Sequence, residues 1–376
     1  MNIAFVTLGF NPIRTSGLDI SGERLVRGLL ARGHKVTVFA TGNPALTEME
    51  VHPNLKIIRI TPNPTNWMGY SFQAAFQLRK IEKIQSFDVK HFWDVHFAYG
   101  YREPYIASLQ HSFQQRINTR RISMQRWIYY QTARYFAERP SVERAKGLIA
   151  GSRTTLSQFR KEYKLQSHQV ALARHGVDTA YYHPGIDASL LRDKLGITNN
   201  EPVVMFAGFI TPRKGIDYLA TVLPRIHPKP RLILVGKMDS TYRSEFYGLV
   251  GSAREQVIEV GFVADEDMPK YYSLADIYVS TSLLEGFGLP IIESLACGTP
   301  VVAFRAGSVA EITGPGGKLT EPGDTTAIAN EISELLSDPD QRKVLGSMGR
   351  QYVLENFTVD KMVNAMLDAY TRFSGE

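Results

Sequence analysis

The chain has 376 residues, more than a single hydrophobic core usually supports, so two domains are expected. Hydrophobic residues make up 44% and charged residues 21%, as in water-soluble globular proteins, and a single cysteine, Cys297, excludes an intramolecular disulfide framework. No apolar run approaches the roughly 18 residues of a membrane-spanning helix, and the first residues lack the basic region of a signal peptide, so a cytoplasmic location is expected.

Charge is distributed unevenly between the two halves. Residues 1–183 carry 25 Lys and Arg against 12 Asp and Glu, whereas the remaining residues carry 18 against 25. The basic excess is greatest in residues 116–144, which contain Arg116, Arg120, Arg121, Arg126, Arg134, Arg139 and Arg144 among several aromatic residues. This segment is predicted either to form solvated helices that partly face the core or to contact anionic lipid headgroups, which attract each basic residue by about 1 kcal/mol. Nucleic acid is disfavoured, because no recognition module accompanies the charge.

The first half alternates short apolar runs with helical patterns. The first helix is predicted from about Ser21 to Arg32, where Gly33 ends it, and a loop at residues 9–16 precedes it. Strands are predicted at residues 2–8, 35–40, 55–60, 88–92, 105–109, 147–151 and 169–174.

The second half repeats this alternation. Strands are predicted at residues 202–209, 231–235, 256–260, 277–280 and 300–303, and helices at 216–223, 333–336, 341–355 and 360–373. The pattern predicts an α/β fold of two facing Rossmann-like, doubly wound domains. We expect them to span residues 1–183 and 184–357, with a C-terminal helix of about 358–376 packing back on the first. Ligands of such sheets bind beyond the carboxyl ends of the strands, so chemistry is expected in the inter-domain cleft.

A diphosphate site is predicted in the second half. Residues 285–293 read E-G-F-G-L-P-I-I-E, a glycine loop followed by a helix whose first turn contains Pro290. Backbone N–H groups at such a helix start suit an anion. Earlier in the chain, Arg213 and Lys214 follow a predicted strand, where the first can clamp phosphate oxygens and the second acts as a point charge. Neither the dinucleotide motif G-x-G-x-x-G nor the P-loop motif is complete, which disfavours hydride transfer and P-loop ATPase activity.

These motifs together resemble glycosyltransferase family 4, the retaining GT-B glycosyltransferases of group 1. The E-x7-E motif is Glu285 with Glu293, G-F-I-T-P-R-K-G contains Arg213 and Lys214, and A-C-G-T-P-V-V-A follows the motif. Ser16 stands in place of the first residue of the family's N-terminal glycine pair, and Phe209 stands where many members have arginine. The resemblance implies transfer of a hexose from a nucleotide-sugar, with a UDP-sugar favoured over GDP-mannose.

The resemblance also implies roles for individual residues. The catalytic set is Glu285, His111, Arg213 and Lys214, in which the two cations hold the leaving diphosphate and Glu285 contacts the sugar. The donor-binding set is Gly17, Gly208, Arg213, Lys214, Phe262, Val263, Glu285, Gly286, Phe287, Gly288, Leu289 and Glu293. Within it, Glu293 is implied to bind the ribose. No cofactor and no metal are implied; the nucleotide-sugar is a co-substrate.

The acceptor is expected to contact the first domain. The candidates are Trp67 and Tyr70 in the loop at 62–70, His96 in H-F-W-D-V-H, and Arg116 and Arg120 in the Arg-rich segment. An aromatic loop on a basic domain predicts a glycan, lipid-linked or other anionic acceptor, with peripheral contact at the inner face of the plasma membrane as one location. His91 and His96 could also form part of a metal site, a less favoured reading.

Two other functions fit parts of the pattern. A nucleotide-sugar 2-epimerase shares the GT-B architecture, although it is not expected to need the whole E-x7-E set. A non-catalytic subunit could hold a nucleotide-sugar without turnover, although intact Arg213, Lys214, Glu285 and Glu293 argue against it. Release of nucleoside diphosphate from UDP- or GDP-sugars separates these functions from transfer.

Overall fold

The chain forms two compact units. The computed structural model describes residues 1–14, 16–43, 52–61, 67–118 and 122–375. One unit consists of Met1–Gly176 with Val359–Glu376, and the other of Val177–Thr358. The sequence prediction places these boundaries at residues 183 and 357.

The first unit is built on a parallel sheet. Its strands are β1 (Asn2–Val6), β2 (Lys35–Thr41), β3 (Leu55–Ile60), β4 (Val89–Phe92), β5 (Ile106–Leu109), β6 (Gly147–Ala150) and β7 (Val170–Leu172). Their order is β3-β2-β1-β4-β5-β6-β7, and all neighbours are parallel. The helices are α1 (Gly17–Ala31), α2 (Trp67–Glu82), α3 (Phe113–Asn118), α4 (Met124–Ala133), α5 (Arg139–Arg144) and α6 (Arg153–Tyr163), with a π-helix at Arg134–Glu138 and 3₁₀ turns at Val95–Ala98 and Ser167–Gln169.

Both faces of this sheet are covered. One apolar cluster contains Phe92 and Phe159, and another contains Phe5 and Trp93, and the central strand β1 is buried on both faces from Ile3 to Val6. The second cluster includes the last helix of the chain, α15 (Val359–Ser374), through Tyr370 and its neighbours.

Helix α15 approaches α1 closely because α1 has a glycine at the contact. A Cβ atom added to Gly28 would lie 2.4 Å from Cγ2 of Val363. Any larger side chain at this position would force the helices apart. The C-terminal helix is therefore an integral part of the first unit.

The second unit has the same architecture. Its strands are β8 (Val203–Ala207), β9 (Arg231–Val235), β10 (Val257–Gly261), β11 (Ile277–Ser280), β12 (Val301–Phe304) and β13 (Gly317–Thr320), in the order β10-β9-β8-β11-β12-β13. The helices are α7 (Ser189–Lys194), α8 (Ile216–Val222), α9 (Arg243–Val250), α10 (Met268–Leu274), α11 (Leu289–Ala296), α12 (Val309–Thr313), α13 (Thr325–Ser337) and α14 (Pro339–Asn356), with 3₁₀ turns at Pro212–Lys214, Leu223–Arg225 and Gly251–Gln256.

Two parallel sheets, each between helical layers, confirm the predicted α/β fold class. Apolar clusters lie on both faces of the second sheet as well. Parallel strands end at one edge of their sheet, so the segments after β8, β10, β11 and β12 lie near one another. Among the described residues, no helix has the length and apolar character needed to cross a bilayer.

Candidate functional site

The cationic turn after β8 packs directly against the end of β11. Arg213 and Lys214 belong to the 3₁₀ turn Pro212–Lys214, and Gly215 follows with a φ of 64°. A Cβ atom at Gly215 would lie 1.8 Å from the carbonyl oxygen of Thr281, so only glycine permits this approach. The approach brings Lys214 to the glycine loop, while Arg213 is exposed on the turn.

The glycine loop leads into α11, as the sequence predicts. Gly288 has a φ of 96° and precedes Leu289, the first residue of the helix, and Pro290 lies in the first turn. The positive end of the helix dipole therefore lies next to residues 286–289. Among the residues of the predicted donor set, Phe287, Gly288 and Leu289 are buried, and Glu285 and Gly286 are partly exposed.

A segment that the sequence motif does not include holds this loop in place. The backbone N–H of Ser308 donates to the carbonyl oxygen of Glu285 at 3.2 Å, and its hydroxyl donates to that of Phe287 at 2.9 Å. A Cβ atom at Gly307 would lie 2.2 Å from the Glu285 carbonyl oxygen. Residues 307–308 follow β12, the neighbour of β11, so only the strand order reveals their contact with the loop.

One of the two cations forms an ion pair with one of the two glutamates. Nζ of Lys214 lies 2.7 Å from Oε2 of Glu285, and their side chains are 17% and 13% exposed. The pair joins the residue expected to bind phosphate to the residue expected to bind sugar. At this exposure, a ligand can still compete for either partner.

Glu293 lies deeper in the same unit. Its side chain is buried, and Oε2 accepts a hydrogen bond from the hydroxyl of Tyr272 at 3.0 Å. Burial, together with the Glu293 carboxylate, raises the pKa of Tyr272 well above its usual value and that of the Cys297 thiol to about 12. Cys297 is therefore a buried, protonated residue, and Tyr272 is a partner of the motif that the sequence does not reveal.

The edge of the sheet beyond β8 and β10 presents aromatic side chains. Phe262 is 84% exposed directly after β10, whereas Val263 packs partly against the core. Gly208, directly after β8, has a φ of 134°, and Phe209 beside it is half exposed. This edge offers flat apolar surface at the point where a nucleobase is expected.

In the first unit, Gly17 is the first residue of α1. The loop before it is fixed by Asp19, whose carboxylate accepts hydrogen bonds from the backbone N–H of Gly9 at 3.1 Å and of Ser16 at 2.9 Å. Gly17 itself is exposed. Its backbone therefore lies at the carboxyl edge of the first sheet, just beyond β1.

His111 is partly buried just after β5, two residues before α3 begins. Glu138 anchors the start of α3, because the backbone N–H of Phe113 donates to Oε2 of Glu138 at 2.7 Å. Glu138 has no exposed surface and belongs to the π-helix. Local helix irregularities of this type often occur at functional sites.

The carboxylate of Glu138 is part of a buried charged chain. Nδ1 of His96 lies 2.5 Å from Oδ1 of Asp94, Nε2 lies 2.8 Å from Oε2 of Glu138, and the hydroxyl of Tyr163 donates to Oε1 of Glu138. Burial alone would lower the pKa of His96, but the two carboxylates raise it to about 9. The histidine is thus an imidazolium between two carboxylates at neutral pH.

This geometry corrects two of the predicted acceptor residues. His96 is enclosed and uses both ring nitrogens within the protein. Tyr70 is fully buried, with its hydroxyl 2.5 Å from the carbonyl oxygen of Thr7 and 2.8 Å from that of Phe39. Enclosed side chains cannot contact an acceptor, so both are structural.

The other acceptor candidates lie near the surface. Nε1 of Trp67 donates to the hydroxyl of Tyr129 at 2.6 Å, which links α2 to α4. The Arg116 guanidinium lies 5.9 Å from the centre of the Phe113 ring. Arg120 and residues 62–66 of the predicted loop lie outside the described residues.

The two histidines of the less favoured metal site both bond to other side chains of the protein. His91 is buried, with Nδ1 2.7 Å from the hydroxyl of Tyr370 and Nε2 2.8 Å from Oγ of Ser108, and burial lowers its pKa to about 3. Across the ranges that the structure describes, no group of three or more His, Cys, Asp and Glu residues could hold a metal ion.

Comparison with known proteins assigns the family. The family model described as "Glycosyl transferases group 1" matches residues 187–352, and "Glycosyltransferase Family 4" matches residues 15–181. Alpha-maltose-1-phosphate synthase of Mycolicibacterium smegmatis is 31% identical over 65% of this chain and 67% of its own. The chain belongs to glycosyltransferase family 4.

Other similarities extend over nearly the whole family 4 chain. The GDP-mannose-dependent alpha-(1-6)-phosphatidylinositol monomannoside mannosyltransferase of M. smegmatis is 27% identical over 94% of both chains. The structure of sucrose-phosphate synthase from Thermosynechococcus elongatus has a TM-score of 0.82 at 24% identity and covers 98% of both chains. This match confirms the predicted GT-B fold. The family 4 chain is an enzyme, a glycosyltransferase that uses a nucleotide-sugar donor.

Proposed function

We propose that this glycosyltransferase moves a hexose from a nucleotide-sugar to a hydroxyl group of a glycan, lipid-linked or other anionic acceptor, with retention at the anomeric carbon. A UDP-sugar is the favoured donor and GDP-mannose the second, the latter supported by the name of the M. smegmatis mannosyltransferase. The observation that carries the proposal is the Lys214–Glu285 pair beside the start of α11, with Arg213 on the same turn.

The cations provide the largest part of the proposed catalysis. As the bond between the anomeric carbon and the diphosphate oxygen breaks, negative charge grows on the leaving nucleoside diphosphate. Arg213, Lys214 and the helix start of α11 stabilise that charge without reorganising at the moment of reaction. In this proposal they supply the charge that a divalent cation would otherwise provide, so activity is expected to persist in EDTA.

The rest of the donor is proposed to bind around these cations. Glu285 accepts hydrogen bonds from sugar hydroxyls, and Glu293 accepts them from the ribose. Phe262 and Val263 flank the base. The acceptor hydroxyl attacks the face from which the diphosphate leaves, and its proton passes to the leaving phosphate oxygen. His111 and Gly17 are proposed to contact the substrates.

The experiment is a donor panel with product analysis. UDP-glucose, UDP-galactose, UDP-N-acetylglucosamine and GDP-mannose are incubated with the enzyme, and release of nucleoside diphosphate is followed with and without EDTA. NMR of the product then gives its anomeric configuration. An inverted anomer refutes retention, loss of activity in EDTA refutes metal independence, and epimerised UDP-sugar without transfer refutes the transferase proposal.

We further propose that the enzyme works as a peripheral protein on an anionic membrane at the cytoplasmic face. The membrane surface consists of exposed apolar side chains on α2 and α4. Met68, Phe72 and Phe76 recur every four residues along α2, which places them on one helix face, and Phe76 is 65% exposed. On α4, Met124, Trp127 and Ile128 are exposed, and Met124 is 72% exposed.

The basic charge of the unit and the extent of its apolar rows favour a lipid bilayer as the partner of the membrane surface. The Trp67–Tyr129 hydrogen bond joins the beginning of α2 to α4, so the two apolar rows lie on helices that contact each other. Tyr135 and Phe136 extend the second row, and the unit carries the basic excess of the sequence. Apolar and aromatic side chains that insert beside basic residues are typical of interfacial helices.

Sedimentation with vesicles tests the membrane surface. Binding to phosphatidylglycerol-containing vesicles at low salt is expected, with weaker binding to pure phosphatidylcholine and to vesicles in high salt. The double variant F72S/F76S is expected to lose most of the binding and to keep its nucleoside diphosphate release. L190S provides the control, since Leu190 is 82% exposed in the second unit. Equal vesicle binding by F72S/F76S and wild type refutes the membrane surface. So does a wild-type protein that binds no vesicles but forms a dimer that F72S/F76S disrupts.

A further inference from the structure

Ser308 holds the glycine loop through the loop's backbone. Its hydroxyl donates to the carbonyl oxygen of Phe287 at 2.9 Å and lies 3.3 Å from that of Glu285, to which the backbone N–H of Ser308 donates at 3.2 Å. Ser308 has no exposed surface, and Phe287 is buried as well. A hydrogen bond to a buried carbonyl group is costly to remove. Ser308 therefore fixes the direction in which two carbonyl groups of the loop point.

The direction of these carbonyl groups also sets the direction of two backbone donors. The peptide bonds of the loop are trans, and in a planar trans peptide the C=O and the N–H point in opposite directions. The N–H groups of Gly286 and Gly288 therefore point away from Ser308. Because β11 lies between β8 and β12 in the sheet, the side away from Ser308 is the side of the turn that carries Arg213 and Lys214.

The peptide unit between Phe287 and Gly288 is the one that most needs this support. Gly288 has a φ of 96°, a region that glycine enters readily, and it has no side chain whose packing could hold the peptide plane. The unit lies directly before α11, where the helix dipole already favours an anion. A hydrogen bond from Ser308 is thus the means by which the Gly288 N–H keeps one direction.

We propose that Ser308 is a positioning residue of the donor site, whose hydroxyl orients the peptide unit before Gly288 so that the Gly288 N–H meets the diphosphate. The inference rests on the donor site proposed above and deepens it. Arg213 and Lys214 supply charge from the turn after β8, and Ser308 acts from the segment after β12 without touching the substrate. A donor that is already oriented needs no reorganisation when charge grows on the leaving group.

Calorimetric titration of the full chain with UDP and GDP tests the inference. For whichever nucleoside diphosphate binds, S308A is expected to weaken its binding about fivefold, the effect of one hydrogen bond. S294A is the matched control, because Ser294 is also fully buried and its hydroxyl donates to the carbonyl oxygen of Thr299 at 2.9 Å, near the other end of α11. S294A is expected to change the affinity by less than about twofold, although urea denaturation should show a similar loss of unfolding free energy for both variants.

The parent nucleoside distinguishes an oriented phosphate donor from a general loosening of the site. Uridine or guanosine has no phosphate, so NMR titration is expected to give S308A and wild type the same nucleoside affinity to within about twofold. An equal loss of affinity for nucleoside and nucleoside diphosphate overturns the inference. So does a nucleoside diphosphate affinity of S308A that equals that of wild type or S294A, and both results leave the donor site intact. If neither nucleoside diphosphates nor nucleotide-sugars bind wild type, the donor site and the inference both fall.

Discussion

The two units each contain a close pair of opposite charges at the carboxyl edge of their sheet, and the two differ in exposure. In the second unit, Lys214 and Glu285 remain partly exposed. In the first unit, His96 lies between Asp94 and Glu138, and Glu138 has no exposed surface. Both units therefore contain a charged hydrogen bond, but only the one between Lys214 and Glu285 is accessible to a ligand.

Because they differ in burial, the His96 chain and the Lys214–Glu285 pair are expected to serve different functions. An enclosed carboxylate must be fully satisfied inside the protein, and Glu138 achieves this with His96, Tyr163 and the backbone of Phe113. It thereby fixes the segment that follows His111. The partly exposed pair of Lys214 and Glu285 leaves its groups accessible to a ligand. The buried chain is expected to act on stability, and the exposed pair on binding and turnover.

The largest expected effect is on catalysis through the exposed pair. K214M removes a cation that stabilises the leaving diphosphate, so kcat/KM is expected to fall by about a thousandfold. The unfolding free energy is expected to fall by less than it would for a fully buried pair, because Lys214 and Glu285 remain partly exposed. Steady-state release of nucleoside diphosphate and urea denaturation measure the two quantities. A variant that keeps a tenth of its activity would contradict the role of Lys214.

The buried chain is expected to show the opposite behaviour. E138A leaves the imidazolium of His96 without one of its two carboxylates, and the unfolding free energy is expected to fall by about 3–5 kcal/mol. E138Q tests the loss of charge with a similar shape if E138A does not fold. The matched control is E143A, because Glu143 forms an exposed pair with Arg139 one turn later and should cost at most about 1 kcal/mol. Equal effects of E138A and E143A in urea denaturation would refute the comparison.

Stability is also expected to depend on pH through His96. Its pKa rises from 6.5 to about 9 on folding, so the folded protein binds the proton more tightly than the unfolded chain. The stabilisation is complete below about pH 6.5 and is lost as pH rises through about 9.

Burial would raise the pKa of Asp94, but the charge of His96 and its hydrogen bonds to the carboxylate lower it, so Asp94 stays charged across this range. The other ionisable groups nearby are Glu138, Tyr163, Glu162, Arg134 and Arg116. The difference in unfolding free energy between wild type and H96Q, measured from pH 6 to pH 10, is expected to shrink with rising pH. A constant difference would contradict a charged His96.

The smallest effect is expected at the edge of the buried chain. Y163F removes one neutral hydroxyl from Glu138, and the unfolding free energy is expected to fall by about 1–2 kcal/mol. Y129F removes a comparable hydroxyl from an exposed hydrogen bond with Trp67 and should cost less. Urea denaturation of both variants measures the two losses. A larger loss of unfolding free energy for Y129F than for Y163F would contradict the expected order.

The sequence predicts the fold class and the glycine loop before α11 well because both are local patterns. The strands at residues 35–40 and 231–235 appear as Lys35–Thr41 and Arg231–Val235, since each is a short segment rich in β-branched and other apolar residues. The start of α11 follows from the glycine loop with Pro290. The short strand β13 escapes prediction, because Gly317–Thr320 has neither length nor a strong apolar pattern.

The contacts between distant segments could not be predicted in the same way. Ser308 supports the motif only because β12 lies next to β11. Glu138 occurs in a segment whose composition is dominated by arginine, so nothing in the sequence indicates that it is buried against His96, 42 residues away. The Lys214–Glu285 pair spans 71 residues and depends on the close approach at Gly215.

The most direct test of the account is release of nucleoside diphosphate from the donor panel by wild type, K214M and K343M at equal concentration. Lys343 is an exposed lysine on α14 of the same unit and serves as the matched control. We predict release from at least one UDP- or GDP-sugar by wild type and K343M, with K214M about a thousandfold slower. Equal rates for K214M and K343M, or no release from any of these nucleotide-sugars by wild type, would contradict the account.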